Sequence, residues 1–150
     1  MRILVDADAC PVKDIIVKIA KEKSIPVIMV IDTAHELCDG YSTIITVSQG
    51  RDSVDLALMK LVAKDDIVVT QDFGLAARVL GKGARALNQN GLVYTNENID
   101  KLLFERFLGQ KVRRAGGKTS NPKKRTKKND QSFESALQNL ICITLSTPSG

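Results

Sequence analysis

The chain has 150 residues, 43% hydrophobic and 26% charged, which is enough for one ordinary core and excludes wholesale disorder. No apolar run approaches the ~18 residues of a membrane span, and the first ten residues do not resemble a signal peptide. Three cysteines cannot all pair, which favours a reducing cytoplasm. The net charge of +5 is concentrated in residues 111–128, which hold nine Lys and Arg and no acid.

In chain order, short apolar and β-branched runs alternate with amphipathic stretches. The apolar runs predict five strands, over residues 3–5, 27–31, 44–47, 67–70 and 84–87. The stretches between and after them predict helices, over residues 12–23, 52–63, 74–80, 96–108 and around 133–141. We expect Pro11 at the first helical position and Asn96 as an N-cap. Continuous apolar strands separated by helices predict a three-layer α/β/α sandwich with a mostly parallel central sheet.

The same pattern divides the chain into four parts. Residues 1–110 are expected to form the α/β domain, and residues 111–128 a basic loop or strap, because they hold few apolar side chains. Residues 129–145 are expected to form a C-terminal helix that docks on the same domain, and residues 146–150 a frayed tail.

Five acids lie at the ends of predicted strands or at the starts of the helices that follow. They are Asp6, Asp8, Asp52, Asp55 and Asp72. In open parallel sheets, ligands bind outside the carboxyl ends of the strands, so we expect these carboxylates to converge there.

Converging carboxylates need a compensating cation, or some of them must be protonated, because two unit charges 4 Å apart repel by about 4 kcal/mol at an effective dielectric near 20. Hard oxygen ligands suit Mg²⁺ or Mn²⁺. Mg²⁺ takes one or two protein carboxylates and keeps waters that phosphate oxygens can replace, which suits phosphoryl chemistry.

Some of these acids also have ordinary structural interpretations. Asp52 is a possible N-cap, Asp72 a possible cap of the helix that begins near Gly74, and Asp8 a possible turn residue. Asp55 fits a cap less well, because it lies in line with the apolar face of its helix.

Three motifs resemble those of the YaiI/YqxD family of bacterial proteins, and the resemblance spans residues 1 to about 144. They are Val5-Asp6-Ala7-Asp8-Ala9-Cys10-Pro11-Val12, Val69-Thr70-Gln71-Asp72-Phe73-Gly74-Leu75-Ala76 and Tyr94-Thr95-Asn96-Glu97-Asn98-Ile99. That family is similar to the PIN-like and NYN superfamily of metal-dependent nucleases, whose fold is Rossmann-like.

The resemblance implies a role for each acid. Asp6, Asp55 and Asp72 would bind Mg²⁺ or Mn²⁺ for phosphodiester cleavage, with RNA the favoured substrate, and Asp52 is the next match after Asp55. Thr70 would orient a carboxylate or a water. We further expect Asp8 to hold a metal-bound water or a second ion.

Basic side chains are candidate contacts to a nucleic-acid backbone. Lys13 lies one turn into the first predicted helix, near Asp6, and Arg51 neighbours Asp52. The basic segment, residues 111–128, is as well explained by a solvated charged loop as by phosphate binding. Its candidates are Lys111, Arg113, Arg114, Lys118, Lys123, Lys124, Arg125, Lys127 and Lys128.

Two other functions remain open. One is a catalytically silent nucleic-acid or ribosome-associated binding protein that uses the basic segment. The other, less favoured, is a phosphohydrolase of the haloacid dehalogenase type, because Asp6-Ala7-Asp8 resembles its D-x-D motif. Such enzymes need a late acidic pair after a strand, whereas Asp65-Asp66 precede one. No membrane partner is expected, and the sequence leaves the oligomeric state open.

Overall fold

A single six-stranded sheet forms the centre of the protein. The computed structural model describes residues 1–8, 10–32, 39–48, 53–114 and 124–146, with side chains of the helix that ends at Arg114 described to residue 112. The strands are β1 (Ile3–Asp6), β2 (Val27–Ile31), β3 (Thr43–Thr46), β4 (Ile67–Val69), β5 (Arg85–Leu87) and β6 (Val93–Tyr94). Their order is β3-β2-β1-β4-β5-β6, and every neighbouring pair is parallel except β5 and β6.

Five helices cover the sheet. They are α1 (Lys13–Lys23), α2 (Ser53–Leu61), α3 (Phe73–Gly81), α4 (Asn96–Arg114) and α5 (Lys127–Ser146). Within the described ranges, none of them combines the length and the apolar character needed to cross a membrane.

Alternate residues of the strands face two separate hydrophobic layers. On one face, strand residues such as Ile3 and Val5 pack with α1 and with Phe133 and Leu137 of α5. On the other face, strand residues such as Leu4 pack with α2, α3 and the first turns of α4. The predicted three-layer α/β/α sandwich with a mostly parallel sheet is therefore confirmed.

The structure corrects several predicted boundaries. Helix α4 continues to Arg114 and α5 begins at Lys127, so both ends of the basic segment are helical rather than loop. The prediction that α4 ends at Leu108 was wrong because residues 109–114 include a single large apolar side chain, Val112, so the sequence offered little periodicity from which to extend the helix. The antiparallel strand β6, only two residues long, was not predicted.

Two predicted helix starts also differ. Helix α1 begins at Lys13, two residues after Pro11, and Val12 is its N-cap. At the start of α4 the cap is Thr95 rather than Asn96: its Oγ1 accepts from the backbone N–H of Asn98 at 3.1 Å, and the Asn98 side chain accepts from the backbone N–H of Thr95 at 2.8 Å. This reciprocal pair is a capping box with Asn in the position usually held by Glu or Gln.

The turn between β5 and β6 is held against the start of α5. Arg125 donates to the Asn90 side chain and to the Gln89 carbonyl, each at 2.8 Å, and pairs with Asp130. Gly91 has a φ of +87°, and a Cβ placed on it would lie 2.5 Å from the carbonyl oxygen of Ser132. Only glycine allows this close approach.

Candidate metal centre

The candidate site lies between β1 and β4, where the chain changes from adding strands on one side of β1 to adding them on the other. From β1 the chain builds β2 and β3 on one side and β4, β5 and β6 on the other, so the connections that leave β1 and β4 diverge. Such a switch point leaves a crevice outside the carboxyl ends of the two strands. Asp6 ends β1, and Thr70 and Asp72 directly follow β4, so all three lie at this crevice.

Thr70 connects Asp6 to the segment that carries Asp72. The buried Thr70 hydroxyl donates to Oδ2 of Asp6 at 3.1 Å and accepts from the backbone N–H of Asp72 at 3.0 Å. The Thr70 carbonyl in turn accepts from the hydroxyl of Tyr94 at 3.1 Å. The hydroxyl residue expected to orient a carboxylate therefore does contact one, and β6 supplies a support that the sequence did not reveal.

Asp72 is the N-cap of α3. Its Oδ1 accepts from the backbone N–H groups of Gly74 and Leu75 at 2.9 and 3.1 Å. The capping interpretation of Asp72 is therefore confirmed, and it does not exclude a ligand role, since both of these bonds go to Oδ1 and leave Oδ2 for another partner.

Asp55 reaches the same crevice from α2. Its side chain is 13% exposed and pairs with Arg78 at 3.4 Å. Burial raises the pKa of Asp55 to about 6, and the charge of Asp72, a hydrogen bond with the Asp72 side chain and the charge of Asp6 add to the rise. Arg78 opposes it. The three carboxylates therefore lie close enough to destabilise one another's charged forms.

Burial likewise raises the pKa of Asp6. The hydrogen bond from Thr70 opposes this rise, while the charges of Asp8, Asp72 and Asp32 reinforce it. Asp6 therefore lies between two groups of acids and is affected by both.

Asp8 belongs to a second acidic pair, with Asp32 at the end of β2. The backbone N–H of Asp32 donates to Oδ2 of Asp8 at 3.0 Å. Burial raises the pKa of Asp8, as do a side-chain hydrogen bond and the charge of Asp32, whereas Lys13 lowers it. Asp32 was missed from the sequence, although it follows a predicted strand in the same way as Asp6 does.

Two cavities open at this edge of the sheet. A cavity of about 70 Å³ is lined by Asp6, Asp8, Cys10, Val69, Thr70, Gln71 and Gln89. A more open one of about 310 Å³ is lined by Asp6, Gln71, Asp72, Phe73 and Arg106. Arg106 of α4 brings a positive charge beside the carboxylates, and the sequence gave no sign of it because α4 is distant in the chain.

The donor set fits a divalent cation of the Mg²⁺ type. Among the described residues, no three His, Cys, Asp or Glu side chains form a ready cage for a metal ion. Mg²⁺ does not need such a cage, because it is held through one or two carboxylates and keeps waters. The charges of Asp72 and Asp6 both disfavour ionisation of Asp55, and a cation bound among these carboxylates would remove that penalty.

The structure does not gather all the predicted nucleic-acid contacts. Asp52, Arg51, Lys118 and Lys123 lie outside the described residues, and of Arg113 and Arg114 only the backbone is described, in the last turn of α4. The exposed candidates in the described part are Lys111, Lys124, Lys127 and Lys128. Arg125 differs from them, because its guanidinium group is engaged with Gln89, Asn90 and Asp130 and holds α5 in place.

The sequence pair Asp65-Asp66, weighed for a dehalogenase-type enzyme, lies away from the crevice. Asp66 is buried and accepts from the backbone N–H and the guanidinium group of Arg2, before the start of β1. It precedes β4 and therefore lies at the opposite end of the strands from Asp6.

Comparison with known proteins identifies the family. A family model described as "Uncharacterized BCR, YaiI/YqxD family" matches residues 4–142, so the chain belongs to this family, as its motifs predicted. A UPF0178 protein of Ruminiclostridium cellulolyticum is 68% identical over 137 residues, which are 91% of this chain and 90% of that protein. UPF0178 proteins of Clostridium kluyveri and Clostridium acetobutylicum are 55% and 49% identical, over 94% of this chain and 93% and 97% of their own lengths. No solved structure matches the chain significantly.

Proposed function

We propose that this protein is a Mg²⁺- or Mn²⁺-dependent nuclease that hydrolyses phosphodiester bonds of RNA, with a PIN-like, Rossmann-like fold. One observation carries the proposal. Asp6, Asp55 and Asp72 come from three separate chain segments to the switch point of the sheet, where burial, together with the charges of Asp72 and Asp6, raises the pKa of Asp55 to about 6. Acids that repel one another in this way either keep a proton or bind a cation among them.

Each acid has a distinct part in this proposal. Asp6 and Asp72 hold the principal ion, and Asp55 completes its coordination. Asp8, held by the backbone of Asp32, positions a water or a second ion. When bound, the ion activates a water and offsets the charge on the phosphate during in-line displacement.

The surrounding residues orient the carboxylates and the substrate. Thr70 fixes Oδ2 of Asp6, so the side chain that ends β1 is held in one orientation. Arg106 lines the cavity beside Asp6 and Asp72, and the charge of Lys13 acts on Asp8, so both would supply positive charge to substrate phosphates near the acids. We place this activity in the cytoplasm, in keeping with the free thiols of Cys10 and Cys142.

RNA cleavage by matched variants tests the proposal. In Mn²⁺, the wild type should cut a fluorescent RNA oligonucleotide, and Asp6→Asn should lose more than about 100-fold of that activity while keeping its circular dichroism spectrum. Glu22→Gln, an exposed acid in the last turn of α1, is the control and should cut like the wild type. RNA binding without cleavage, equal in the wild type and in Asp6→Asn, would contradict the nuclease and favour a binding protein.

A further inference from the structure

Helix α4 extends beyond the body of the protein. In its first two turns Ile99 is buried, and Leu102 and Leu103 pack against the layer that contains α3. From residue 104 to residue 112, every residue except Gly109 is exposed. About half of α4 is therefore held by its own hydrogen bonds rather than by packing within the described chain.

The exposed half of α4 carries a continuous apolar stripe. Phe104, Phe107, Leu108 and Val112 are 59%, 53%, 44% and 44% exposed. Phe104, Leu108 and Val112 lie on the side of the helix opposite Leu102, and Phe107 lies between them and Leu103, which precedes it by four residues. They present on the order of 400 Å² of apolar surface, which is as much as the largest patch of a typical monomer and is often functional.

Among the described residues, the side chain recorded over the stripe is that of Lys111, whose ammonium group lies 5.5 Å from the centre of the Phe107 ring. The residues that follow α4 directly, 115–123, include only Ala115 and Pro122 as apolar side chains. The proposed RNA substrate is a poor fit as well. Arg106, which lines the acidic crevice, lies on the same side of α4 as Leu102 and Leu103, so RNA bound there would have to cross the helix to reach the stripe.

The charges of α4 are divided between its two halves. Residues 96–105 hold Glu97, Asp100 and Glu105 with one lysine, whereas residues 106–114 hold four basic residues and no acid. Two copies of such a helix attract each other when they run antiparallel, because the acidic half of each then faces the basic half of the other.

We infer that the apolar stripe of α4 is a homodimer interface, in which α4 of one copy packs antiparallel against α4 of a second copy about a two-fold axis. A two-fold interface uses the same patch on both copies, as the stripe allows. Asp100 and Lys111 are eleven residues apart, about three turns, and so lie on the same side of α4, in line with the stripe. When the two-fold axis crosses α4 near residue 106, Phe104 of each copy lies opposite Leu108 of the other, and Asp100 lies opposite residue 112, one residue from Lys111. This inference does not depend on the proposed nuclease activity.

The apolar area of the stripe is about half of the ~800 Å² that each partner buries in a standard interface. Flanking side chains must therefore contribute to the contact, and we expect a dimer of micromolar affinity. Sedimentation velocity from about 1 to 200 μM should show the mass rising from 16.4 kDa towards twice that value. Phe107→Glu should keep the protein monomeric at all concentrations. The control is Leu145→Glu, which places the same charge at a 66% exposed apolar site on α5 and should associate like the wild type.

A charge exchange tests the antiparallel arrangement. Asp100→Lys and Lys111→Asp should each weaken association about tenfold, and the double variant should restore it, because the pair is re-formed with its charges reversed. A double variant that associates more weakly than either single variant would overturn the antiparallel arrangement.

A wild type that stays at 16.4 kDa at 200 μM would overturn the dimer, as would a dimer that survives Phe107→Glu. In the first case, weaker RNA binding by Phe107→Glu would assign the stripe to RNA instead. Circular dichroism of each variant checks that α4 is intact.

Discussion

The Asp55 carboxylate should make the metal-free protein less stable as the pH rises. In the unfolded chain Asp55 ionises near its ordinary pKa of 3.8, whereas in the folded protein its pKa is about 6. Between these values the folded state holds the proton and the unfolded state does not. Stability therefore falls as the pH rises through this window, and the loss is complete above the folded pKa.

The size of the effect follows from the shift. A rise of about two pKa units corresponds to at most about 3 kcal/mol, and about half of that loss develops between pH 5 and pH 8. Asp55 retains some solvent contact and pairs with Arg78, so we expect about 1 kcal/mol over this range after screening. Asp55→Asn removes the ionising group and should lack this part of the pH dependence.

Urea unfolding in EDTA at pH 5 and pH 8 measures the difference. From pH 5 to pH 8 the free energy of unfolding of the wild type should fall by about 1 kcal/mol more than that of Asp55→Asn. Added Mn²⁺ should raise the free energy of unfolding of the wild type more than that of the variant. Glu22→Gln should follow the wild type at both pH values. If the stability of the wild type and of Asp55→Asn depends equally on pH, the conclusion that Asp55 is buried beside Asp6 and Asp72 is refuted.

Three further changes test single contacts. Thr70→Val should lower stability by about 1–3 kcal/mol in urea unfolding, because Asp6 and a backbone N–H each lose a partner, and Thr70→Ser should recover most of the loss. Gly91→Ala should destabilise the protein more than Gly40→Ala, since both positions have positive φ but only the Cβ at Gly91 meets the backbone of α5; equal melting temperatures would contradict this close approach. Asp66→Ala should cost about 1–3 kcal/mol, because the backbone N–H groups of Arg2 and Ala63 lose the buried carboxylate that accepts from them, and a loss below about 0.5 kcal/mol would contradict this structural role.

The core of the fold could be predicted because the central parallel strands β1, β2 and β4 are buried on both faces. Runs such as Ile3-Leu4-Val5 are continuously apolar, and the structure places them within a residue or two of the predicted bounds. Strand β6 could not be predicted in the same way. It is two residues long and is placed by pairing with β5 and by the turn that Arg125 holds, which are contacts distant in sequence.

The acids of the site could be predicted because an acid that ends a buried strand, or begins the helix after it, lies at the carboxyl edge of the sheet. Asp6 and Asp72 follow buried strands directly, and Asp55 lies in line with the apolar face of α2. The same rule applies to Asp32, which closes β2. Arg106 follows no such rule, because its place beside the crevice depends on the direction in which α4 leaves the sheet.

Calorimetric titration of Mn²⁺ into the metal-free protein tests the central claim most directly, with Asp6→Asn beside the wild type. We predict that the wild type binds and that Asp6→Asn loses the binding. The wild-type affinity should rise with pH up to about 6 and then level off, because the ion displaces a proton from the carboxyl group of Asp55. Absence of binding by the wild type at pH 7, with and without a short RNA oligonucleotide, would contradict the claim that these carboxylates form a metal site.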